Sequence, residues 1–425
     1  MSVTSSNTSQ PLAKRALSAH SVFGLAISAV LYIICLSGTV IVFKDEIKTW
    51  EQRGEPRVEQ MSASAVQAMA DNGLAAAPET GHLILYLPTD NILRARVQAG
   101  AEQFYVDAQG EVSVASRHKW SDFLFDLHYY LHLPHSFGML VVAIFGVFLF
   151  GMSVSGFLAH PSIFKDAFAF RRSKSEQIKQ TDLHNRLSVW TSPFHITNSL
   201  TGAIIGLSVL SALALGNLKY EGNMETVFEP IYGTEPTANE APAPMANVEK
   251  ALNYMAQHFP DIPPNLIIVH EPGTKGQFVQ VYAQHTRRLI YAEKYNFDGK
   301  GTFLGATGSA DGQWGQQAYD SIYKVHFGSF GGLPVKIAFV IFGICLMYII
   351  TAGMNIYFIK RQSKGRAAPK LQRAWKGLVF GAPVMLMLTL VLAMIWPAGS
   401  LSLAAVFWFG VGAMSIGFAV RNVAQ

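Results

Sequence analysis

Residues 126–161 read DLHYYLHLPHSFGMLVVAIFGVFLFGMSVSGFLAHP. From Phe137 to Leu158 this stretch is long enough to cross about 30 Å of hydrocarbon as a helix. Gly138, Gly146, Gly151 and Gly156 let a neighbouring helix or a flat cofactor approach its backbone. Histidines stand at both mouths, with His128, His132 and His135 before the span and His160 at its end. An imidazole at the edge of a membrane span is costly unless it finds a partner. The partner that uses a neutral ring nitrogen inside an apolar shell is haem iron.

Composition sets the class. Half of the 425 residues are hydrophobic, 14% are charged and the mean hydropathy is +0.24, which points to a polytopic membrane protein. The pI near 9.0 is explained by basic residues clustered beside apolar runs, so no nucleic-acid partner is implied. Cys35 and Cys345 each lie inside an apolar span and read as small core residues. The absence of a CxxCH motif means that any haem is held non-covalently.

Outward from that stretch the chain divides cleanly. Residues 1–10 are Ser-, Thr- and Asn-rich and read as a disordered cytoplasmic tail. Residues 11–43, behind Lys14 and Arg15, form the first transmembrane helix, too long for a signal-peptide core and without a small-residue cleavage site. Residues 44–125 read as a small α+β domain, with a helix in SASAVQAMADNG and strands in HLILYLP, RARVQAG and EQFYVDAQGEV. The second span, 126–160, leads to a basic loop (161–183) carrying Lys165, Arg171, Arg172, Lys174 and Lys179, which the positive-inside rule places in the cytoplasm. The third span is 184–215. A Pro- and Ala-rich linker and a second α+β domain follow within 216–323, with a helix in NVEKALNYMAQHFP and strands in NLIIVHE, QFVQVYAQ and RLIYAEKYNFDGKG. The fourth span, 324–359, a basic loop (360–376) and two histidine-free spans, 377–396 and 401–421, complete the chain. The expected fold is a membrane all-α bundle of about six helices with two small α+β periplasmic domains and both termini inside. One helix and three strands, recurring between spans of the same orientation, mark a duplicated unit.

Five segments together carry a family resemblance: SAHSVFGLAISAVLYIICLSGTVIVFKDEI, LHYYLHLP, SGFLAHPSIFKDAFAFR, DLHNRLSVWTSPFHITNSLTG and YKVHFGSFGGLPVKIAFVIFG. Over about residues 15–362 the chain resembles the PepSY-associated transmembrane proteins. Ala19 and Val22 stand where that family usually has Leu and Trp around the first histidine. The resemblance implies an inner-membrane location, two periplasmic PepSY domains and, in the most similar members, a haem-containing reductase of ferric siderophores in iron uptake.

The histidines can also be weighed on their own. His20, His160, His184 and His195 fall toward the cytoplasmic ends of spans, and His128, His132 and His326 toward the periplasmic ends. One such residue alone is explained as an interfacial side chain that snorkels to water. Two groups at two depths, drawn from four helices, suit a pair of bis-histidine b-type haems. Depth measured from the flanking basic residues selects His160 with His195 and His132 with His326, with His20 and His128 in reserve. His184, between Asp182 and Arg186, reads as closer to the interface, fit for a helix cap or a haem propionate. His132 and His160 would stand about 40 Å apart on a straight helix, so Pro134 must turn the preceding segment back or the inner site must lie deeper.

Other chemistries lack a scaffold. HExxH, GxSxG, GxxxxGK[ST] and GxGxxG do not occur in a usable context, so proteolysis, serine hydrolysis and nucleotide or flavin binding are unsupported. A tight metal-transport site needs carboxylate or cysteine ligands that are not evident. The electron donor is then a quinol or a separate cytoplasmic reductase. The reading from another class is a membrane protein whose PepSY domains bind a peptide or siderophore along a sheet edge without redox chemistry.

Overall fold

The computed structural model describes residues 12–90, 92–115, 119–160, 162–168, 175–233, 238–284, 289–307, 312–396 and 401–421. The expected disordered tail, His118, His285 and the PAGS turn at 397–400 lie outside them.

In chain order, α1 (Leu12–Ile41), α2 (Lys44–Glu51) and α3 (Ala63–Ala76) precede strands β1 (His82–Tyr86), β2 (Ala95–Ala99), β3 (Glu102–Val106) and β4 (Val112–Ala115). Helices α4 (Lys119–Tyr130), α5 (His135–Ala159), α6 (Ile163–Asp166), α7 (Glu176–Trp190), α8 (Ser192–Lys219), α9 (Met224–Tyr232) and α10 (Val248–His258) come next. Strands β5 (Pro264–His270), β6 (Phe278–Ala283), β7 (Glu293–Asp298) and β8 (Phe303–Thr307) lead to α11 (Trp314–Phe327), α12 (Gly332–Ser363), α13 (Pro369–Ile395) and α14 (Leu403–Val420). Among the described residues, α1, α5, α8, α12, α13 and α14 are long and apolar enough to cross a membrane. The chain forms two compact units, one of Met1–Val42, Lys119–Leu207 and Gly331–Gln425, the other of Phe43–His118 and Ser208–Phe330.

The second unit is built on one antiparallel sheet, where the sequence suggested two separate domains. Its strand order is β4-β3-β2-β1-β5-β6-β7-β8, so the two α+β segments join edge to edge through β1 and β5. Each segment has four strands, one more than expected. The extra strand follows a tight turn in which an aspartate accepts from the chain ahead: Asp107 Oδ1 from the amides of Gln109 and Glu111, Asp298 Oδ1 from those of Lys300 and Thr302. Gly110 and Gly301 complete these turns with φ of 91° and 70°.

The two-residue period of β1 turns Leu83 and Leu85 into the core, where they meet Val97, Ile267, Val269, Val279 and Val281 from neighbouring strands. Val66, Met69 and Ala70 of α3 and Val248, Ala251 and Met255 of α10 cover that face. Full burial of a side chain such as Leu83 contributes about 1.5–3 kcal/mol. Ser62 caps α3 through the amide of Ala65, and Asn247 caps α10 through that of Lys250. Gln67 Oε1 also accepts from the amides of Val248 and Glu249, tying the two helices together. On α11, Asp320 lies 3.8 Å from Lys294 of β7, both buried.

In the first unit, two of the expected spans are broken helices. The stretch 126–160 is split because Leu131 and His132 take φ of 54° and 55°, ending α4 before Pro134 caps α5. The third span is preceded by a separate helix, α7, whose C-terminal cap at Thr191 (φ −105°, ψ 6°) turns the chain into α8. Glycines set the close approaches. A Cβ on Gly146 would stand 3.1 Å from Ser199 O of α8, and one on Gly343 would press on Thr39 of α1. Outside this core, α13 and α14 interlock through Gly381, Met414, Gly410 and Met385, and Tyr32 donates to Val379 O at 3.1 Å, joining α1 to α13.

Candidate functional site

Within the first unit the histidines separate by what holds each ring. His20 on α1 has Nδ1 3.1 Å from Met152 O and 3.1 Å from Ser155 Oγ, both on α5. His184 on α7 has Nδ1 2.9 Å from Ile349 O on α12. A carbonyl oxygen only accepts, so Nδ1 carries the proton in both rings and Nε2 presents its lone pair. No hydrogen bond to Nε2 of either ring is found among the described residues. The two ring centroids lie 6.2 Å apart with the planes at 86°, an edge-on arrangement.

The pair follows the duplication of the chain. Met152 precedes Gly156 by four residues, as Ile349 precedes Gly353, and each carbonyl receives one histidine. Each glycine lies beside the same ring, a Cβ on Gly156 standing 3.4 Å from His20 Cε1 and one on Gly353 standing 3.4 Å from His184 Cε1. His20 and His184 are each followed eighteen residues later by a glycine, Gly38 and Gly202. The sequence carried this signal in its equal spacings. The carbonyls themselves have no residue-type signature, which is why Met152 and Ile349 could not be picked out.

His128 on α4 occupies a second level along α1. Its Nδ1 lies 3.0 Å from Ile34 O and 3.3 Å from Ser37 Oγ, and a Cβ on Gly38 would fall 2.7 Å from its Cε1. Ile34 lies fourteen residues beyond His20, a rise of about 21 Å at ~1.5 Å per residue. That is roughly half the span that separates His132 from His160 on a straight helix.

The histidines favoured by depth have other partners. His132 receives Trp408 Nε1–H on Nδ1 at 3.1 Å and donates Nε2–H to Phe123 O at 2.9 Å, so both nitrogens are engaged. Trp408 belongs to α14, a helix to which the sequence assigned no role. His160 pairs through Nε2 with Asp166 at 3.2 Å and is about one-third exposed. His195 is buried in α8 with Nε2 3.0 Å from Thr191 Oγ1. His326 lies near the end of α11, in the second unit, with its ring against Phe327. The rings that meet within the first unit are those of His20, which the sequence kept in reserve, and His184, which it read as a cap or propionate partner. His184 lies on α7, a helix of its own that packs on α12, where the sequence reading ran a single span through it.

The arrangement can be tested for fit to haem iron. Two imidazoles on opposite sides of one metal ion, each bonded at about 2 Å, have ring centres about 6 Å apart. The His20–His184 spacing of 6.2 Å meets this requirement. A backbone carbonyl behind each Nδ1 is the outer partner that orients a ligating histidine and raises its basicity. Glycine in place of a side chain next to each ring leaves backbone against which a flat macrocycle can lie.

Two comparisons bear on identity. A family model described as PepSY-associated TM region matches residues 17–361, which includes α1 through most of α12 and leaves α13 and α14 outside. The chain is also 25% identical over 297 residues to an uncharacterized protein of Pseudomonas aeruginosa, covering 64% of this chain and 73% of that protein.

Proposed function

The chain belongs to the PepSY-associated transmembrane family, and from that premise and the paired histidines we propose that it is an inner-membrane dihaem b-type reductase. In this reading it passes electrons from the cytoplasmic or quinol side to a ferric siderophore in the periplasm, releasing Fe(II) for uptake. The observation that carries the reading is the His20–His184 pair, two rings 6.2 Å apart with both Nδ1 atoms held on equivalent carbonyls.

His20 and His184 would hold the haem of the inner site. Met152 O and Ile349 O hold the tautomer that leaves Nε2 available, and Gly156 and Gly353 keep side chains away from both rings. At the outer level His128 is the ligand, oriented by Ile34 O and Ser37 and fitted against Gly38. His326 stands at the matching sequence position in the second repeat. His132, with both nitrogens engaged, anchors α14 to α4. Haem supplies one-electron transfer there, with the potential tuned by axial ligands and burial. Reduction of a ferric chelate weakens its hard oxygen ligands, which is the chemical use of such a protein in siderophore systems.

The test starts with the purified protein from haem-sufficient cells. A Soret band and two extractable b-type haems per chain are expected. After dithionite reduction, adding a ferric siderophore should reoxidise the protein and produce chelator-trapped Fe(II). A colourless folded preparation overturns the redox reading. Reduced protein that reacts with quinone but with no ferric siderophore overturns the substrate and the direction.

A further inference from the structure

The second unit holds another histidine pair. His82 opens β1 and His270 ends β5, and the two are directly opposite at the seam where the α+β segments join. Their ring centroids are 5.0 Å apart and their planes lie at 83°. His270 is held in place, stacked on Phe278 at 4.1 Å and 6° and hydrogen-bonded by the Gln280 side chain. Its Nε2 is buried and has no hydrogen-bond partner among the described residues. His82 is exposed, which gives solvent a way to the pair.

We propose that His82 and His270 form a cis bis-imidazole site for a divalent first-row transition cation. Two imidazoles on one tetrahedral ion, bonded at about 2 Å, have ring centres about 5 Å apart, shorter than the roughly 6 Å of a trans pair. The observed 5.0 Å meets the first requirement, as the 6.2 Å of His20 and His184 meets the second. Packing alone leaves the His270 nitrogen buried without compensation. A cation accepts that lone pair.

Among the described residues no third His, Cys, Asp or Glu joins the pair, so water or a chelator completes the coordination. Such a site suits a cation in transit, and imidazole selects Co2+, Ni2+, Zn2+ or Fe2+ over Mg2+ and Ca2+. Naming Fe2+ as the resident ion rests on the reductase reading. The cation site itself does not.

Co2+ titrated into the tag-free full chain in detergent, followed by its visible absorption, tests the site. One equivalent should bind and be displaced by Zn2+. His82→Ala and His270→Gln should each weaken binding at least tenfold and leave the Soret spectrum unchanged. His258→Ala, on a separate exposed ring stacked on Tyr254, should have no effect. His82 is exposed, so its variant stays informative if His270→Gln does not fold. Wild-type protein that takes up no Co2+, or binding that survives both substitutions, overturns the proposal. Loss of the Soret band with retained Co2+ binding separates failure of the haem reading from failure of this one.

Discussion

The duplicated halves of the chain meet in two different ways. In the second unit they meet through backbone, β1 against β5, in a pairing that almost any strand-forming sequence can make. In the first unit they meet through close helix packing, Gly146 on Ser199 and Gly343 on Thr39, and through two side chains, His20 and His184, each fixed by a carbonyl at the equivalent place in its own half. A sheet seam tolerates divergence of the repeats, since ladder hydrogen bonds do not depend on residue type. The histidine seam does not, because removing either ring leaves the other facing an empty position. The halves are interchangeable in the sheet and mutually dependent in the bundle.

The largest expected effect breaks the histidine seam. If the chain holds two haems as proposed, His20→Ala and His184→Ala should each abolish one equivalent, and by about the same amount, as read by haem extraction and the reduced spectrum. A strong loss from one with no loss from the other would show that the repeats are not equivalent there. Next comes the buried pair in the second unit. Asp320→Asn removes the carboxylate beside Lys294 and should cost about 3 kcal/mol at pH 7, measured by denaturant unfolding.

The pH dependence of that loss has a definite sign. Burial pulls Lys294 below the usual lysine range, while Asp320 and then Glu293 pull it back. Without Asp320 the folded amine resists protonation more, while the unfolded amine titrates near about 10.4. Below that range the unfolded state binds the extra proton, so the deficit is greatest at neutral pH and narrows as pH rises toward 10.

The equivalence of the two halves of the sheet is tested by Gly110→Ala and Gly301→Ala. Both glycines have positive φ, and an added Cβ would press on Ala65 O in one turn and on Asn247 O in the other. Each change should cost about 2–3 kcal/mol. Matching losses support the two turns as copies of one device. The smallest effect is at His160, whose partner Asp166 is also partly exposed. His160→Ala should change stability by less than about 1 kcal/mol and leave the haem spectrum intact. A lost haem equivalent would restore His160 as a ligand in place of His20 or His184.

The six long apolar helices were readable from composition because hydrocarbon thickness imposes a length that few other pressures do. The α+β segments were readable from alternation, and their duplication from order. The shared sheet was not, since the pairing of β1 with β5 joins residues remote in sequence and leaves no local mark. Pro134 and Pro193 each stand two residues past one of the breaks, at Leu131–His132 and at Thr191, so those breaks were partly legible, although no glycine announces the positive φ of the first pair. Those two breaks account for the altered ranking of the histidines. Depth counted along an unbroken helix favoured His160 and His195, while the separate α7 brings His184 against Ile349 and opposite His20.

The central seam of the sheet also sets a timetable for biogenesis. β1 emerges early, but its partner β5 lies beyond two membrane-crossing helices, α5 and α8. At about 5–20 residues per second, the 188 positions between His82 and His270 take roughly ten to forty seconds to synthesise. Through that interval one flank of the first-made α+β segment is an open template for other strands. Chains of this kind should therefore depend on a holding factor, and slowed translation between β1 and β5 should raise misassembly more than the same delay placed after β8.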